Sequence, residues 1–419
     1  MFRTKFAFSL GASDPTYAVS PAANNVNEGS NLTITVTTEN VADGTTLYWT
    51  INSNASDFGT SSGSFTINSN TGTITITPTA DNTTEGAETF TLSIRTDSVA
   101  GTVVATTGNI TINDTSLTIP YLGSNYGYRS GGQPSYKNTI DKWPFASSSP
   151  ASDVGDLTEA RARVSGSSSS SHGYTSGGFD GVSPYYNNVI DRFSFSSDGN
   201  ASDVGDVAAA GGDAASHSST TNGYQTGGFY PGSPYSSTIY SYPFSSSANA
   251  SNVGSLSLAR NHGAGASSTT HGYTAGGQFS PGTSTTIDKF PFASNGTATD
   301  VGDLYPQFVG LSKGAGFSSS THGYMAGGYK TPGTPTHHGT VQKYSFASDA
   351  NATGAAYNIP NRHSARGNQS TTAGYVFGGE KAPWPPILQD ILKINFSNDA
   401  VSTYGNLTEQ VSMHAGHQY

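Results

Sequence analysis

The protein has 419 residues with 51 Gly, 20 Pro, no Cys and 34% hydrophobic residues, and its formal net charge is −10. Frequent turn formers and only 11% charged residues argue against helical bundles and doubly wound α/β enzymes, whereas 23 Tyr and 20 Phe favour a folded all-β protein over disorder. Nucleic acid is not an expected partner, because such binding relies on clustered basic side chains and this acidic sequence has no such cluster.

Residues 1–16 are predicted to be an N-terminal arm. Arg3 and Lys5 precede a short apolar run, but Ser9 and Gly11 interrupt that run, so a secretory signal is not expected. No stretch approaches the roughly 20 consecutive apolar residues of a membrane helix, and we therefore expect no membrane span. A sequence without cysteine has no disulfides and no thiolate chemistry.

Residues 17–116 are predicted to form an Ig-like β-sandwich. Seven segments alternate apolar and polar residues, which is the pattern of half-buried strands. They are LTITVTT from Leu32, TLYWTI from Thr46, GSFTI from Gly63, TGTITITPT from Thr71, ETFTLSI from Glu88, TVVATT from Thr102 and NITIND from Asn109. Seven short strands in about 100 residues are typical of such sandwiches.

Three segments of this region, NEGS from Asn27, SDF from Ser56 and ADNTTEGAETF from Ala80, resemble a Calx-β domain. In that family acidic residues near the strand ends bind Ca²⁺, a cation that takes six to eight oxygen ligands. The resemblance implies the metal ligands Glu28, Asp57, Asp81, Glu85 and Glu88. The other interpretation, that these carboxylates are solvated loop residues, stays open.

Residues 117–419 contain a repeat of about 50 residues. The motif GYxxGG occurs six times, starting at Gly127, Gly173, Gly223, Gly272, Gly323 and Gly374. A variable loop follows each motif, and then come an alternating segment such as TIDKWPFA from Thr139, a segment such as ASDVGDL from Ala151, and a small-residue stretch such as RVSGSS from Arg163. Four short strands per repeat predict one propeller blade per repeat.

Three features of these units resemble kelch repeats. They are the double glycine, the aromatic strand after a variable loop, and an arginine before the next unit, which is Arg161, Arg260 or Arg362. The resemblance implies a six-bladed kelch-like β-propeller. Residues 407–419, LTEQVSMHAGHQY, align with LTEARARVSGSSS from Leu157. Residues 413–419 would then be the first strand that the first blade lacks, and their pairing would close the propeller and remove open sheet edges.

The loops after the double glycines differ among the repeats, and variable loops on a repeated scaffold are common binding sites. Their prolines restrict loop motion, and their aromatic faces can stack on sugars or pack against protein. The predicted binding residues are Tyr185, Tyr186, Tyr230, Tyr235, Phe279, Tyr329 and Trp384. The alternative, that these side chains cover blade edges or contact neighbouring subunits, stays open.

No motif in the sequence indicates catalysis. Asp153, Asp203 and Asp300 occupy one repeat position, whereas glycosidases need one asymmetric pair of carboxylates, so we expect these side chains to cap tight SDVGD turns. GxSxG, Walker, HExxH and Rossmann motifs are absent. We predict a non-enzymatic protein, with Ca²⁺ in the sandwich as the single candidate cofactor.

Long strings such as NVADGTTLYWTI, EGAETFTLSIRT and TIDKFPFAS resemble structural and appendage proteins of tailed phages from marine bacteria. The resemblance implies a virion protein of the tail fibre, tail or capsid surface, present in many copies. Its expected partners are other virion proteins or a host-surface glycan. Two other functions stay open: a carbohydrate-binding adhesin of a cell or virus surface, and a propeller glycoside hydrolase.

Overall fold

The computed structural model of the protein describes residues 13–80, 88–113, 123–294, 296–305, 310–331, 336–355, 357–381 and 386–419. The predicted all-β class is confirmed, because the helical structure in these ranges amounts to one 3₁₀ turn, Ala55–Asp57. The chain divides into two compact units, residues 1–118 and 119–419. Of the predicted arm, residues 1–12 lie outside the described ranges, and Thr16 begins the first strand. A search of the described residues for a helix that could span a membrane finds none.

The first unit consists of three small sheets. Its strands are β1 (Thr16–Pro21), β2 (Asn25–Asn27), β3 (Leu32–Glu39), β4 (Thr46–Ile51), β5 (Ser62–Thr66), β6 (Thr71–Ile76), β7 (Glu88–Phe90), β8 (Leu92–Arg95), β9 (Val103–Thr106) and β10 (Ile110–Asn113). In the described part of this unit, the sheet orders are β1-β3-β6, β2-β10-β7 and β5-β4-β8-β9. All three sheets contribute to one apolar core, which includes Ile34, Trp49 and Phe90. The alternating pattern of β3 places Leu32, Ile34 and Val36 in that core.

The segment ETFTLSI was predicted to be one strand, but it contributes to two sheets. Phe90 in β7 pairs with Ile110, whereas Leu92 in β8 pairs with Ile51. Both side chains are fully buried, so the alternation continues while the partner strand changes at Thr91. Side-chain alternation shows which face of a strand is buried and carries no information about which strand lies beside it.

The second unit consists of twenty-four strands within the described ranges. They are β11 (Tyr126–Ser130), β12 (Thr139–Pro144), β13 (Ser152–Asp156), β14 (Ser165–Ser168), β15 (His172–Phe179), β16 (Tyr186–Ser194), β17 (Ser202–Asp206), β18 (Ala215–Ser218), β19 (Asn222–Thr226), β20 (Ser236–Pro243), β21 (Ser251–Arg260), β22 (Ala264–Ser267), β23 (His271–Ala275), β24 (Thr286–Pro291), β25 (Thr299–Asp303), β26 (Ala315–Ser318), β27 (His322–Lys330), β28 (Thr336–Ser345), β29 (Thr353–Gly354), β30 (Arg366–Gln369), β31 (Ala373–Phe377), β32 (Asp390–Asn395), β33 (Val401–Asn406) and β34 (Ala415–Gln418).

These strands form six antiparallel four-stranded sheets in the described part of the unit. Five sheets use consecutive strands: β14 to β17, β18 to β21, β22 to β25, β26 to β29 and β30 to β33. The other sheet has the order β34-β11-β12-β13, so a strand from the C-terminal segment joins the first strands of the unit. The register pairs Tyr128 with His417 and Ser130 with Ala415.

We call β14, β18, β22, β26, β30 and β34 the inner strands. Each inner strand contacts the next in this order, and β34 contacts both β30 and β14. Glycines allow a close approach between neighbours: a Cβ on Gly265 would lie 2.2 Å from the carbonyl oxygen of Ser216, and one on Gly416 would lie 2.5 Å from that of Gly367. The small-residue stretches of the sequence are therefore the places where neighbouring sheets meet backbone to backbone.

The predicted SDVGD turns are strands, which corrects the sequence interpretation. Residues 152–156 form β13 at the edge of its sheet, and the register shifts between Ile140 and Asp141 of the neighbouring strand. Asp153 Oδ1 accepts a hydrogen bond from Gly155 N at 3.1 Å, and Asp203 does the same for Gly205 at 3.0 Å. The aspartate thus bonds the backbone two residues ahead, as expected, but it does so at a bulge in a strand.

Two buried histidines link neighbouring inner strands. The carbonyl of Ala266 lies 3.0 Å from His217 Nδ1, so this nitrogen donates and Nε2 accepts from the hydroxyl of Thr226 at 3.0 Å. His417 Nδ1 likewise donates to the carbonyl of Ser167 at 3.1 Å. Burial lowers the pKa of both histidines to about 4, and both are therefore neutral in the folded protein at pH 7.

We expect acid to destabilise the second unit through these two histidines. An unfolded histidine has a pKa near 6.5, so the unfolded chain takes up protons as the pH falls from about 6.5 to about 4 while the folded chain does not. Each histidine should cost about 3 kcal/mol of stability across this window. Urea unfolding at a series of pH values measures the slope, which should flatten in His217→Gln and His417→Gln. His172→Gln, at a half-buried site, is the control, and an equal slope in all variants would contradict the assignment.

Candidate ligand-binding site

Six backbone segments meet in a ring of hydrogen bonds just before the inner strands. In each repeat, the residue two positions before the inner strand donates its N–H to the carbonyl of the equivalent residue in a neighbouring sheet, at 2.7–2.9 Å. We call these residues the mouth ring: Arg163, Asp213, His262, Lys313, Ser364 and Met413. All six have left-handed backbones, with φ between 53 and 60°. Such strain at non-glycine residues is common at functional sites, and here the ring of hydrogen bonds maintains it.

The backbone of the mouth ring is regular, but its side chains differ at every position. Asp213 is almost fully buried between two basic partners: Arg163 Nη1 lies 3.2 Å from its Oδ2, and His262 Nδ1 lies 3.3 Å from its Oδ1. Burial lowers the pKa of His262 to about 4, and the nearby cations Lys313, Arg366 and Arg163 outnumber Asp213. His262 is therefore neutral at pH 7, and Arg163 is the charged partner of Asp213.

Lys313 and Arg366 bring two further positive charges to the mouth ring. Burial lowers the pKa of Lys313. The carboxylates of Asp213 and Glu380 oppose this shift, whereas the cations Arg163 and Arg366 add to it. The Lys313 Nζ lies 5.8 Å from the centre of the Tyr329 ring, and no carboxylate of the described residues lies within ion-pair distance of it. Lys313 is thus a cation without a carboxylate at ion-pair distance among the residues that the structure describes.

Arg366 is the first residue of β30 and lines the channel between the inner strands. Five repeats have a small residue at this position: Ser165, Ala215, Ala264, Ala315 and Ala415. Its Nη1 donates to the carbonyl of Ala365 at 3.3 Å, and no carboxylate in the described ranges pairs with it. The cavity between the inner strands measures about 60 Å³, which holds a few water molecules and no sugar ring. This small volume favours ligand binding at the mouth over binding inside the channel.

Residues that follow the double glycines surround the mouth ring. Each forms a bridge with the residue preceding a mouth-ring position, and the set is Gln133, Phe179, Phe229, Gln278, Tyr329 and Glu380. On one side the guanidinium of Arg163 lies 5.4 Å from the centre of the Phe179 ring. On the other side Tyr329 contacts His337 and His363, whose rings stack at 4.6 Å. The variable loops and the mouth ring therefore belong to the same face of the second unit.

Three of the predicted binding residues lie beside the mouth ring. Tyr185 is 51% exposed and stacks on Phe179 with ring centres 6.1 Å apart. Tyr186 lies edge-on to Phe179 and stacks on Phe229. The ring of Tyr329 lies under the Nζ atom of Lys313. We call Phe179, Tyr185, Tyr186 and Phe229 the aromatic patch.

The other predicted aromatic residues are less available than the sequence suggested. Tyr230, Tyr235 and Phe279 are half-buried. The Tyr230 hydroxyl donates to the carbonyl of Gly227 at 3.3 Å, which is a contact within its own repeat, and its ring meets Tyr240 edge-on. Trp384 lies outside the described residues. Aromatic residues at a loop position can thus be covering side chains, and sequence cannot separate this role from binding.

The acidic residues of the sandwich are partly described. Asp81 and Glu85 lie outside the described ranges. Asp57 and Glu28 are both near residues 78–80, since Thr79 N donates to the Asp57 carbonyl at 2.6 Å and Gly29 N donates to the Pro78 carbonyl at 2.8 Å. Glu88 lies in β7. No three metal-ligating side chains of the described residues form a cluster, and the Ca²⁺ site stays a prediction.

The sequence patterns did not identify Arg163, Asp213, His262, Lys313 and Arg366 as one group. The first three lie about 50 residues apart, in stretches that were interpreted only as small-residue strands. A usable signal was present: the position two residues before the inner strand is Arg, Asp, His, Lys, Ser and Met in successive repeats. A position whose charge varies among otherwise similar repeats indicates a rim that faces solvent or ligand.

No family model and no curated protein matches this chain. Among solved structures, that of YjhT is similar, with a TM-score of 0.53 and 11% sequence identity. The similarity covers 68% of this chain and 99% of the YjhT chain. At this identity the likeness concerns the fold alone.

Proposed function

We propose that residues 119–419 form a six-bladed propeller closed by β34, and that the protein is a non-enzymatic attachment protein that binds a surface carbohydrate at the mouth ring. Two observations support the closed propeller. The inner strands contact one another in a cycle, and the mouth-ring hydrogen bonds return to their starting residue, since Arg163 N donates to the Met413 carbonyl at 2.7 Å.

The binding role depends on one observation: a regular ring carries an irregular set of side chains. A purely structural rim would be expected to repeat its side chains along with its backbone, as the inner glycines largely do. Instead, the rim combines a buried Asp213, a neutral His262 and the unpaired cation Lys313. A small number of polar groups that converge beside an apolar surface is typical of small-ligand sites.

The aromatic patch supports a carbohydrate as the ligand. Tyr185 exposes half of its surface next to Phe179, and flat aromatic faces can stack on sugar rings with little loss of entropy. The resemblance of the sequence to phage appendage proteins implies a protein on a virion, where it would contact a polysaccharide of the host surface. The first unit would then serve as a spacer or docking module.

We expect the full chain to bind at least one surface polysaccharide on a glycan array, and Tyr185→Ala to weaken that affinity roughly three- to tenfold through loss of stacking. Isothermal titration with the polysaccharide found on the array measures the change. Tyr357→Ala is the matched control, because Tyr357 is 56% exposed and lies outside the loops that follow the double glycines.

Two results would contradict the proposal. In the first, no host polysaccharide binds, but the protein captures another virion protein and Tyr185→Ala abolishes that capture. This result would assign the face to particle assembly. Equal loss of affinity in Tyr185→Ala and Tyr357→Ala would place carbohydrate binding elsewhere on the protein.

A further inference from the structure

We propose that the carbohydrate carries an anionic group, a carboxylate or a sulfate ester, and that Lys313 and Arg366 bind this group at the mouth ring with Arg163 beside them. This inference rests on the proposed function and names the chemical class of its ligand. The anionic group is inferred from the cations and not from the aromatic patch, which a neutral sugar could equally use.

Fully buried arginines of the unit have an ionic partner that the half-buried Lys313 and Arg366 lack. Arg129, Arg161 and Arg260 each pair with an aspartate, at 2.7, 3.0 and 3.0 Å. Burying a cation without an opposite charge is costly, and at these three arginines an aspartate offsets this cost. Lys313 and Arg366 are half-buried, and no carboxylate of the described residues lies within ion-pair distance of either, which is also true of Arg192 and Lys393. Lys313 and Arg366 differ from those two in lying together at the mouth ring and its channel. A partner from outside the chain would fill that role.

The carboxylates near the mouth ring are already engaged. Asp213 is bonded by Arg163 and lies beside His262. Glu380 accepts a hydrogen bond from the Ser412 hydroxyl at 2.8 Å and lies 3.8 Å from His363 Nε2. Of the three cations, Arg163 thus pairs with Asp213, while Lys313 and Arg366 have no carboxylate of the described residues at ion-pair distance. This local excess of positive charge stands out in a protein whose net charge is −10.

The anionic group of the ligand and its sugar ring would bind to different parts of this face: the anionic group to the cations of the mouth ring, and the sugar ring to the aromatic patch. The channel is too small for a sugar, so an anionic group can reach toward Arg366 only from the mouth side. Arg163 connects this position to the aromatic patch, since its guanidinium contacts both Asp213 and the face of Phe179. A sugar ring stacked on the aromatic patch would thus lie beside Arg163, and an acidic substituent that extends over the mouth ring would meet Lys313 and Arg366. Uronic acids and sulfated sugars have this chemistry.

The repeats themselves supply substitutions that suit the fold. Arg366→Ala introduces the residue that four equivalent positions already carry, and Lys313→Ser introduces the residue of the equivalent Ser364. The full chain and both variants would be titrated with polygalacturonate, dextran sulfate and neutral dextran. We expect an acidic polymer to bind, dextran to bind at least about tenfold more weakly, and each variant to lose about tenfold in affinity for the acidic polymer. Lys289→Gln, which removes a cation paired with Asp349, should leave the affinity unchanged.

Binding of polygalacturonate alone would identify a carboxylate, and binding of dextran sulfate alone a sulfate ester; either supports the inference. One result would overturn the inference and leave the proposed function intact. In it, neutral dextran binds as tightly as both acidic polymers, Lys313→Ser and Arg366→Ala keep the affinity of the unaltered protein, and Tyr185→Ala binds more weakly. Absence of binding to any carbohydrate would overturn both. Should a variant fail to fold, the salt dependence of the unaltered protein decides: an affinity that high NaCl does not lower contradicts a charged contact.

Discussion

Deleting residues 411–419 should strongly lower the melting temperature of the second unit. The deletion removes β34, and with it the strand that pairs with β11 and the contacts of β34 with β14 and β30. It also opens the mouth ring at Met413 and leaves the backbone of β11 as a free sheet edge, which favours aggregation. We expect the transition of this unit to fall by at least about 10 °C, since several kcal/mol of packing and pairing are lost.

Scanning calorimetry of the full chain provides an internal control for this deletion. The first unit is a separate compact body with its own core, so its transition should stay where it is. A melting temperature of the second unit that the deletion does not change would refute the closure.

A single substitution tests the same closure without removing a strand. Gly416→Ala would place a Cβ 2.5 Å from the carbonyl oxygen of Gly367, in the contact between β34 and β30, and the backbones would have to separate. Gly354→Ala is the matched control, because a Cβ there meets nothing within 4 Å. Equal melting temperatures for both variants would mean that β34 does not pack closely on its neighbour.

Replacing Asp141 with alanine should be among the most destabilising single substitutions in the protein. Asp141 is fully buried and accepts hydrogen bonds from Arg129 Nη2 at 2.7 Å and from Thr408 Oγ1 at 2.6 Å. Arg129 is also fully buried, so removal of the carboxylate leaves its charge poorly compensated. We expect a loss of about 3–5 kcal/mol in the free energy of unfolding, measured by urea titration.

Two variants decide whether the lost ion pair is the cause. Asp153→Ala removes an exposed aspartate that bonds only the backbone of Gly155 among the described residues, and it should cost about 1 kcal/mol or less. Arg129→Met combined with Asp141→Leu removes both charges and should recover much of the loss, because a well-packed apolar pair can replace a buried ion pair. If the double variant is as unstable as Asp141→Ala, the hydrogen bonds of Thr408 account for the effect instead.

Asp141 also shows why a repeat can keep a role while changing its residues. Thr408 follows β33, so its bonds to Asp141 join the last consecutive sheet to the sheet that contains β34. Thr158 bonds Asp191 in the same way, and there the arginine is Arg161 from the preceding loop instead of one on the second strand. The arginines of the sequence were interpreted as a kelch feature, yet their buried partners could be named only from the structure.

Much of the architecture follows from local patterns that the sequence displays directly. Composition and strand alternation determined the all-β class, and the six GYxxGG motifs determined where the repeated strands and their variable loops lie. The alignment of residues 407–419 with those from Leu157 identified the segment that supplies β34. These features depend on neighbouring residues and on spacing, which one sequence is sufficient to show.

Tertiary structure alone decided which residues meet. The change of sheet at Thr91 and the cations gathered around Lys313 depend on residues that are distant in the chain. The mouth ring is the clearest case, because its members are about 50 residues apart and become neighbours only when the sheets pack in a cycle. Length, composition and charge thus established an acidic β protein without a basic cluster in sequence. Folding then gathers three of its 18 Lys and Arg residues at one mouth, since packing, and not sequence distance, sets the distance between charges.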